Sequence, residues 1–368
     1  MPAQWLDGDA TKAEKSFFKI NQQGVPLDNT ELTLLYSRQC PNSIAARALN
    51  QRGTGHLQWS KFTGDNKQEI ETISETLHNC LFTLPLTTNT VKSPDHLPLA
   101  GRSASATSLS LLLDTVNLTN GISATIPTSK EDAEKLVSPD ADGSVTVEYL
   151  KKTRKIIYRI YSYGTKDDMS SLDLHPLVYF YSNGGRHLPS SFLAVVEMMD
   201  EYDKNNSFHH FTLIRETFEE FLVKYKDFVQ QVSRHARGQI KAVHKIKEFF
   251  VFVTKQIEAG NTDNVIVANL QASTDFSFVK ITTGDQKTKK EFTPGVKSYA
   301  VIMRELEISK RCEVCGARVP NLGVSFDHGQ DQKNGGIGDV ANAHFTHHYC
   351  NSAKDKLVPL FAKKKHGK

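Results

Sequence analysis

Between Glu69 and Leu81 the apolar residues Ile70, Ile73, Leu77 and Leu81 recur at spacings of three and four, which predicts a helix over Asp65 to Leu81 with one buried face. The longest such stripe runs from Phe211 through Ile214, Phe218, Phe221 and Phe228 to Val232, and its aromatic content belongs to a packed core rather than to a base-stacking platform. Phe192, Val195, Val196 and Met199 mark a further helix, after the apolar stretch Leu174 to Tyr181 and an Asn183-Gly184-Gly185 turn. Nearer the start, Pro26 and Asp28 break the chain before a helix over Glu31 to Tyr36. Two segments carry no period. Residues 87–142 are rich in Ser, Thr, Pro, Asn and Asp and are expected to form long connections around short helices, and Gly260 to Pro294 is expected to be a weakly structured connector.

The chain has 368 residues, enough for two or three domains, with 39% hydrophobic and 23% charged residues. No run of eighteen apolar residues is available to span a bilayer, and the first residues lack the basic start and apolar stretch of a secretory signal, so a cytoplasmic, non-membrane protein is expected. The net charge of +4 is carried by the last 68 residues, which hold 11 Lys and Arg against 7 Asp and Glu; this fits either a polyanion partner or a solvated basic tail. Lys151, Lys152, Arg154, Lys155 and Arg159 read as a solvated helix face, with phosphate contact as the alternative, and Gly184 to His187 reads as a plain turn rather than a phosphate loop. The piece DADGSVTVEY places Tyr149 where a calcium loop needs a bidentate carboxylate, so calcium is rejected.

Cysteine placement changes the picture. Cys40 and Cys80 stand alone and read as buried small apolar residues, whereas Cys312, Cys315 and Cys350 cluster. Cys312 and Cys315 form a CxxC knuckle, and His347 and Cys350 repeat that spacing 32 residues after Cys315. Two such pairs of soft ligands suit a tetrahedral, closed, structural Zn²⁺. Between them Asp327-His328 follows a strand-like Val324-Ser325-Phe326 run, Gly335-Gly336 supplies a turn, Asn342 follows, and Asn351 comes directly after the last cysteine. His344 and His348 read as spare, exposed histidines.

The ordered set CxxC, Asp-His, Gly-Gly, Asn and then a knuckle ending in Cys-Asn with Lys354 three residues on resembles the zinc-containing HNH endonucleases over the last sixty residues or so. The resemblance implies a ββα-metal fold in which Cys312, Cys315, His347 and Cys350 hold zinc. It also implies that His328 is the general base, that Asp327 and Asn351 hold one Mg²⁺ or Mn²⁺, and that Asn342 orients the loop bearing His328. Two positions depart from the commoner family pattern: Asn351 stands where His is frequent, and His347 where Cys is frequent; both keep a ligand atom.

At the other end, Phe17 to Glu31 (FFKINQQGVPLDNTE) resembles the close of the ParB-like domain of modification-dependent restriction enzymes of the GmrSD kind. Only sixteen residues precede it, so the chain resembles a front-truncated relative, with a separate ParB-like nucleotide-handling chain as a candidate partner and Phe17 to Tyr36 as a docking surface. The expected class is α+β: 1–60 a remnant of that domain and a helix, 61–260 mainly helical, 261–294 a connector, and 295–368 the HNH domain. The expected activity is metal-dependent hydrolysis of phosphodiester bonds in double-stranded DNA, in restriction or defence. A non-catalytic DNA-binding or regulatory scaffold and an RNA-directed nuclease are the alternatives.

Overall fold

The structure, a computed structural model, describes residues 28–55, 58–62, 64–82, 97–103, 107–122, 126–162, 170–281 and 291–366. Helices dominate them: α1 (Asn29–Tyr36), α2 (Pro41–Asn50), α3 (Gly64–Phe82), α4 (Ser108–Thr119), α5 (Lys130–Leu136), α6 (Ser144–Ile160), α7 (Pro176–Tyr179), α8 (Pro189–Lys204), α9 (Phe208–Lys224), α10 (Asp227–His235), α11 (Gln239–Glu258), α12 (Asp263–Ala272) and α13 (Pro294–Ile308). A short hairpin, β1 (Ser325–His328) and β2 (Ala343–Thr346), then leads into α14 (His348–Ser352) and α15 (Lys354–His366). Among the described residues no helix is long and apolar enough to cross a membrane. The ParB-like pattern over 17–27 lies outside the described residues.

In two of the predicted helices the period and the structure agree. In α3, Ile70, Ile73, Leu77 and Leu81 are all buried, and in α8 Phe192, Val195, Val196 and Met199 are fully so. Asp28 starts α1 with a capping box: its Oδ1 accepts from Glu31 N at 2.8 Å, and Glu31 Oε2 accepts from Asp28 N at 3.0 Å.

Three segments differ from the reading of their composition. Within 87–142, α4 is a core helix with Leu111, Leu112 and Val116 buried. Its threonines look like loop residues but bond back to the helix, Thr115 Oγ1 to Leu111 O at 2.7 Å and Thr119 Oγ1 to Thr115 O at 2.9 Å, so their polarity is internalised. The connector expected over 261–294 contains α12, and beyond it Phe276 and Val279 are buried in the main core. The long aromatic stripe is interrupted between α9 and α10 at Tyr225 and Lys226. There the buried Lys226 donates from Nζ to the carbonyls of Leu177 and Val178, at the C-terminal end of α7. Burial, with the nearby Arg318 charge, lowers its pKa to about 7.

The DADG segment is a helix start. Asp140 Oδ1 accepts from Gly143 N at 2.9 Å and Oδ2 from Thr146 N at 2.8 Å, which commits both oxygens to the entry of α6. Ion pairs occupy three of the five basic residues of that helix: Lys151 with Glu69 at 2.7 Å, and Lys155 and Arg159 with Asp203 at 2.5 and 3.2 Å. The 183–185 segment closes a turn by Ser182 N to Arg186 O at 2.8 Å, and His187 is aimed inward at Leu99 O, 2.8 Å away. Cys40 and Cys80 are buried, and burial pushes the Cys40 thiol up to about 11.

The helices share one core. α8 lies along α11, α2 along α4, and α3 against α6, around Phe192, Phe218, Phe249 and Phe250. Ile302 and Leu306 of α13 join that core, and so fasten the C-terminal residues to the helical body.

Candidate metal centre and the cleft beside it

The residues after α13 fold into a knuckle because Cys312 N donates to Ala317 O at 2.9 Å and Gly316 N to Cys312 O at 2.8 Å. Gly316 sits at φ +75°, a left-handed conformation that favours glycine. The start of α14 supplies the second pair, His347 and Cys350. All four side chains are buried and their ligand atoms lie within 4.8 Å of one another, a Cys₃His cluster that can hold a structural metal such as zinc. A tetrahedron with Zn–S bonds of about 2.3 Å has edges of about 3.8 Å. His347 Nδ1 lies 3.4 Å from Cys315 Sγ and 3.7 Å from Cys350 Sγ, which fits that size. His347 Nε2 faces Arg318 O at 3.0 Å; a proton there leaves the Nδ1 lone pair directed at the sulfurs. Hydrogen bonds from Cys315 and Cys350 draw the Cys312 thiol well below its ordinary range, and the bond with Cys312 pushes Cys350 well above it.

Around the cluster a small second core forms from Ala317, Val319 and Leu357. The hairpin is antiparallel, pairing Phe326 with Phe345, Asp327 with His344 and His328 with Ala343. Glu313 N donates to Phe345 O at 3.0 Å, tying the knuckle to β2.

Each candidate residue then takes a defined place. Asn342 clamps the loop that follows His328: its Oδ1 accepts from Gln330 N at 2.6 Å, and its Nδ2 donates to Ile337 O at 2.8 Å and Gln330 O at 3.1 Å. Asn351 clamps β1, donating from Nδ2 to Ser325 Oγ at 2.9 Å and Phe326 O at 3.1 Å, which leaves its Oδ1 without a hydrogen bond among the described residues. Asp327 Oδ1 accepts from His328 N at 2.8 Å, and Oδ2 pairs with Lys354 Nζ at 2.7 Å. Lys354 also donates to His328 O at 2.9 Å, and its hydrogen bond to Asp327 raises its pKa.

Asp327 and Lys354 open on a cleft of about 440 Å³, with His344, Glu313 and Phe361 among its walls. His344 is paired there with Glu313 at 3.1 Å. The side chains of His328 and Asn351 are not part of that lining. Ser325 and Asp327 share the hairpin face turned to α14 and α15, while strand alternation turns His328 to the other face, where its Nε2 meets Gln332 Nε2 at 3.3 Å.

Sequence reasoning missed the groups that dock this module on the helices. His348 is not a spare exposed residue: it is buried, its Nδ1 lies 2.8 Å from Asp173 Oδ2 and its backbone N donates to the same oxygen at 3.0 Å. Asp173 is fully buried and also accepts from Ser162 Oγ at 3.2 Å and Ser171 Oγ at 3.1 Å. A second tether runs through Glu219, whose Oε1 holds the buried Arg215 at 2.7 Å and whose Oε2 accepts from Arg318 N, in the knuckle, at 2.9 Å. Arg318 and Arg311 both pair with Glu220, at 3.0 and 2.8 Å. No local pattern marks the docking pairs, because the residues that join module to helices lie between 91 positions (Arg311 to Glu220) and 175 positions (His348 to Asp173) apart. Compared with known protein families, with curated proteins and with solved structures, the chain finds no match.

Proposed function

We propose that the C-terminal module is a metal-dependent HNH-type endonuclease that hydrolyses phosphodiester bonds in DNA. The observation that carries this reading is the hairpin-helix unit held at the Cys₃His cluster. In it Asn342 clamps the loop after His328, and Asn351 clamps the strand that bears Asp327.

Asp327 and Asn351 supply hard oxygen donors on the same face of the hairpin, and the free Oδ1 of Asn351 fits an oxygen-seeking cation. They would hold Mg²⁺ or Mn²⁺, which stabilises charge on the phosphate and leaving oxygen. His328, at the last position of β1, is the general base this reading requires; its ring lies beside Gln332 on the face turned away from Asp327, so it would take the proton of the attacking water only from the loop side that Asn342 fixes. Lys354 balances the Asp327 carboxylate and holds the His328 carbonyl, so it positions strand and carboxylate together. Restriction or defence in the cytoplasm, a modified-DNA substrate of the GmrSD kind and a separate ParB-like partner complete the proposal, resting on the sequence resemblance.

Two observations favour a second reading, a zinc-held scaffold that binds DNA without cutting it: Lys354 already neutralises Asp327, and the His328 ring lies outside the cleft lining. Nicking of supercoiled plasmid with Mg²⁺ or Mn²⁺ separates the two. Nicking by the native chain that is lost on chelating the divalent cation and in His328→Ala supports the nuclease; DNA binding without nicking supports the scaffold.

A further inference from the structure

Away from the C-terminal module, two cavities adjoin along α4 and the start of α11. The smaller, about 250 Å³, is walled by Leu118, Ile122, Leu193, Ile240 and Val243; the larger, about 430 Å³, continues toward α1 past Ser110, Thr33 and Gln239. Asp114, Asn117 and Ile240 line both. Asn117 is already engaged, its Oδ1 accepting from Asn42 Nδ2 at 3.0 Å. Asp114 is not: its one hydrogen bond is from Gln239 Nε2 at 3.0 Å, and among the described residues it makes no ion pair.

A carboxylate against apolar walls with no cation beside it is unfavourable. Burial pushes the Asp114 carboxyl up to about 6, so at neutral pH it is still ionised. The smaller cavity is apolar apart from Asp114, Asn117 and His244, whose Nδ1 is committed to Glu197 at 3.2 Å, while the larger is lined mainly by polar groups that include Asp28; Asp114 is the carboxylate the two share, and the apolar walls on its smaller side match a ligand with the complementary character. We infer that this double cavity binds a small organic cation, an apolar ring or chain whose protonated N–H-bearing head pairs with the Asp114 carboxylate. An amidinium-type head is the best geometric match, because its two parallel N–H groups fit the two carboxylate oxygens. The site involves none of the residues assigned to phosphodiester cleavage, so the two proposals stand or fall separately.

Calorimetric titration of the full chain with benzamidine, and with its neutral isostere benzamide, tests the assignment. Benzamidine is expected to bind about tenfold or more tightly than benzamide, and Asp114→Asn is expected to abolish that preference while leaving the thermal midpoint unchanged or higher. Asp114→Leu controls for folding: removing a half-buried carboxylate that has no ion-pair partner among the described residues is expected to leave the thermal midpoint unchanged or higher and to eliminate benzamidine binding. Equal binding of the two probes, binding of neither, or an unchanged preference in Asp114→Asn would overturn it.

Discussion

Replacing Glu219 with Gln removes one charge with almost no change of shape, at the point where helix and metal module meet. In the native chain both oxygens are used: Oε1 takes Arg215 Nε at 2.7 Å and the Tyr179 hydroxyl at 3.1 Å, and Oε2 takes Arg318 N at 2.9 Å. Arg215 and Glu219 side chains are both 0% exposed, so water cannot replace the lost carboxylate. Arg215 keeps the carbonyls of Leu172 and Asp173, at 2.5 and 3.2 Å, but these are dipoles and not a counter-charge. Leaving such a charge buried costs about 3–5 kcal/mol. In a chain of this size that is a fall in melting temperature of about 4–6 °C. Differential scanning fluorimetry of Glu219→Gln alongside Arg215→Met/Glu219→Leu reads the effect. The double variant removes both charges and should recover most of the loss, less about 1–3 kcal/mol for the stranded Arg318 N–H. A Glu219→Gln midpoint within about 1 °C of the native value, which is about 0.8 kcal/mol, refutes the reasoning.

Zinc content by plasma mass spectrometry is expected to be one ion per chain and to be lost in Cys315→Ser. With it goes amide protection across 310–366, since a structural zinc contributes on the order of 10 kcal/mol to the fold it closes; a protected module without metal contradicts this. Lys354→Met removes the ammonium 2.7 Å from Asp327 and should tighten Mn²⁺ binding, followed by paramagnetic resonance, by about fivefold, equivalent to about 1 kcal/mol for a partly exposed pair. Weaker Mn²⁺ binding would make Lys354 a support of the site rather than a competitor. Lys226, with its folded pKa lowered to about 7, is neutral in the fold and protonated in the unfolded chain between pH 7 and its unfolded value near 10.4. The unfolded chain therefore binds more protons in that window, so stability rises with pH there and Lys226→Met should flatten the rise. An identical slope in the variant counts against the buried lysine.

How much could be read from residues alone follows from how local each signal is. The helix α3 was legible because a single buried face imposes one period, and α8, buried on nearly every side over 191–200, because Phe192, Val195, Val196 and Met199 keep the helical spacing. The four metal ligands were legible because they fall within 312–350 at matched spacings, and Asn342 because its partners, Gln330 and Ile337, are 12 and 5 positions away. α4 was hidden by threonines whose hydroxyls bond to their own helix. The break after α9 was hidden because Lys226 answers to carbonyls 48 and 49 positions upstream. His348 seemed spare for the same reason: its partner, Asp173, lies 175 positions away. Pairings made only by tertiary folding leave no period to read.

The central claim is tested most directly by the single-turnover rate at which the zinc-loaded chain cuts end-labelled duplex DNA at saturating Mn²⁺, measured beside His328→Ala. A loss of about 10²–10⁴ in rate, with zinc content and melting temperature unchanged, is the predicted result for removal of a general base. Equal rates in the two proteins would contradict the role given to His328 and, with it, the nuclease reading.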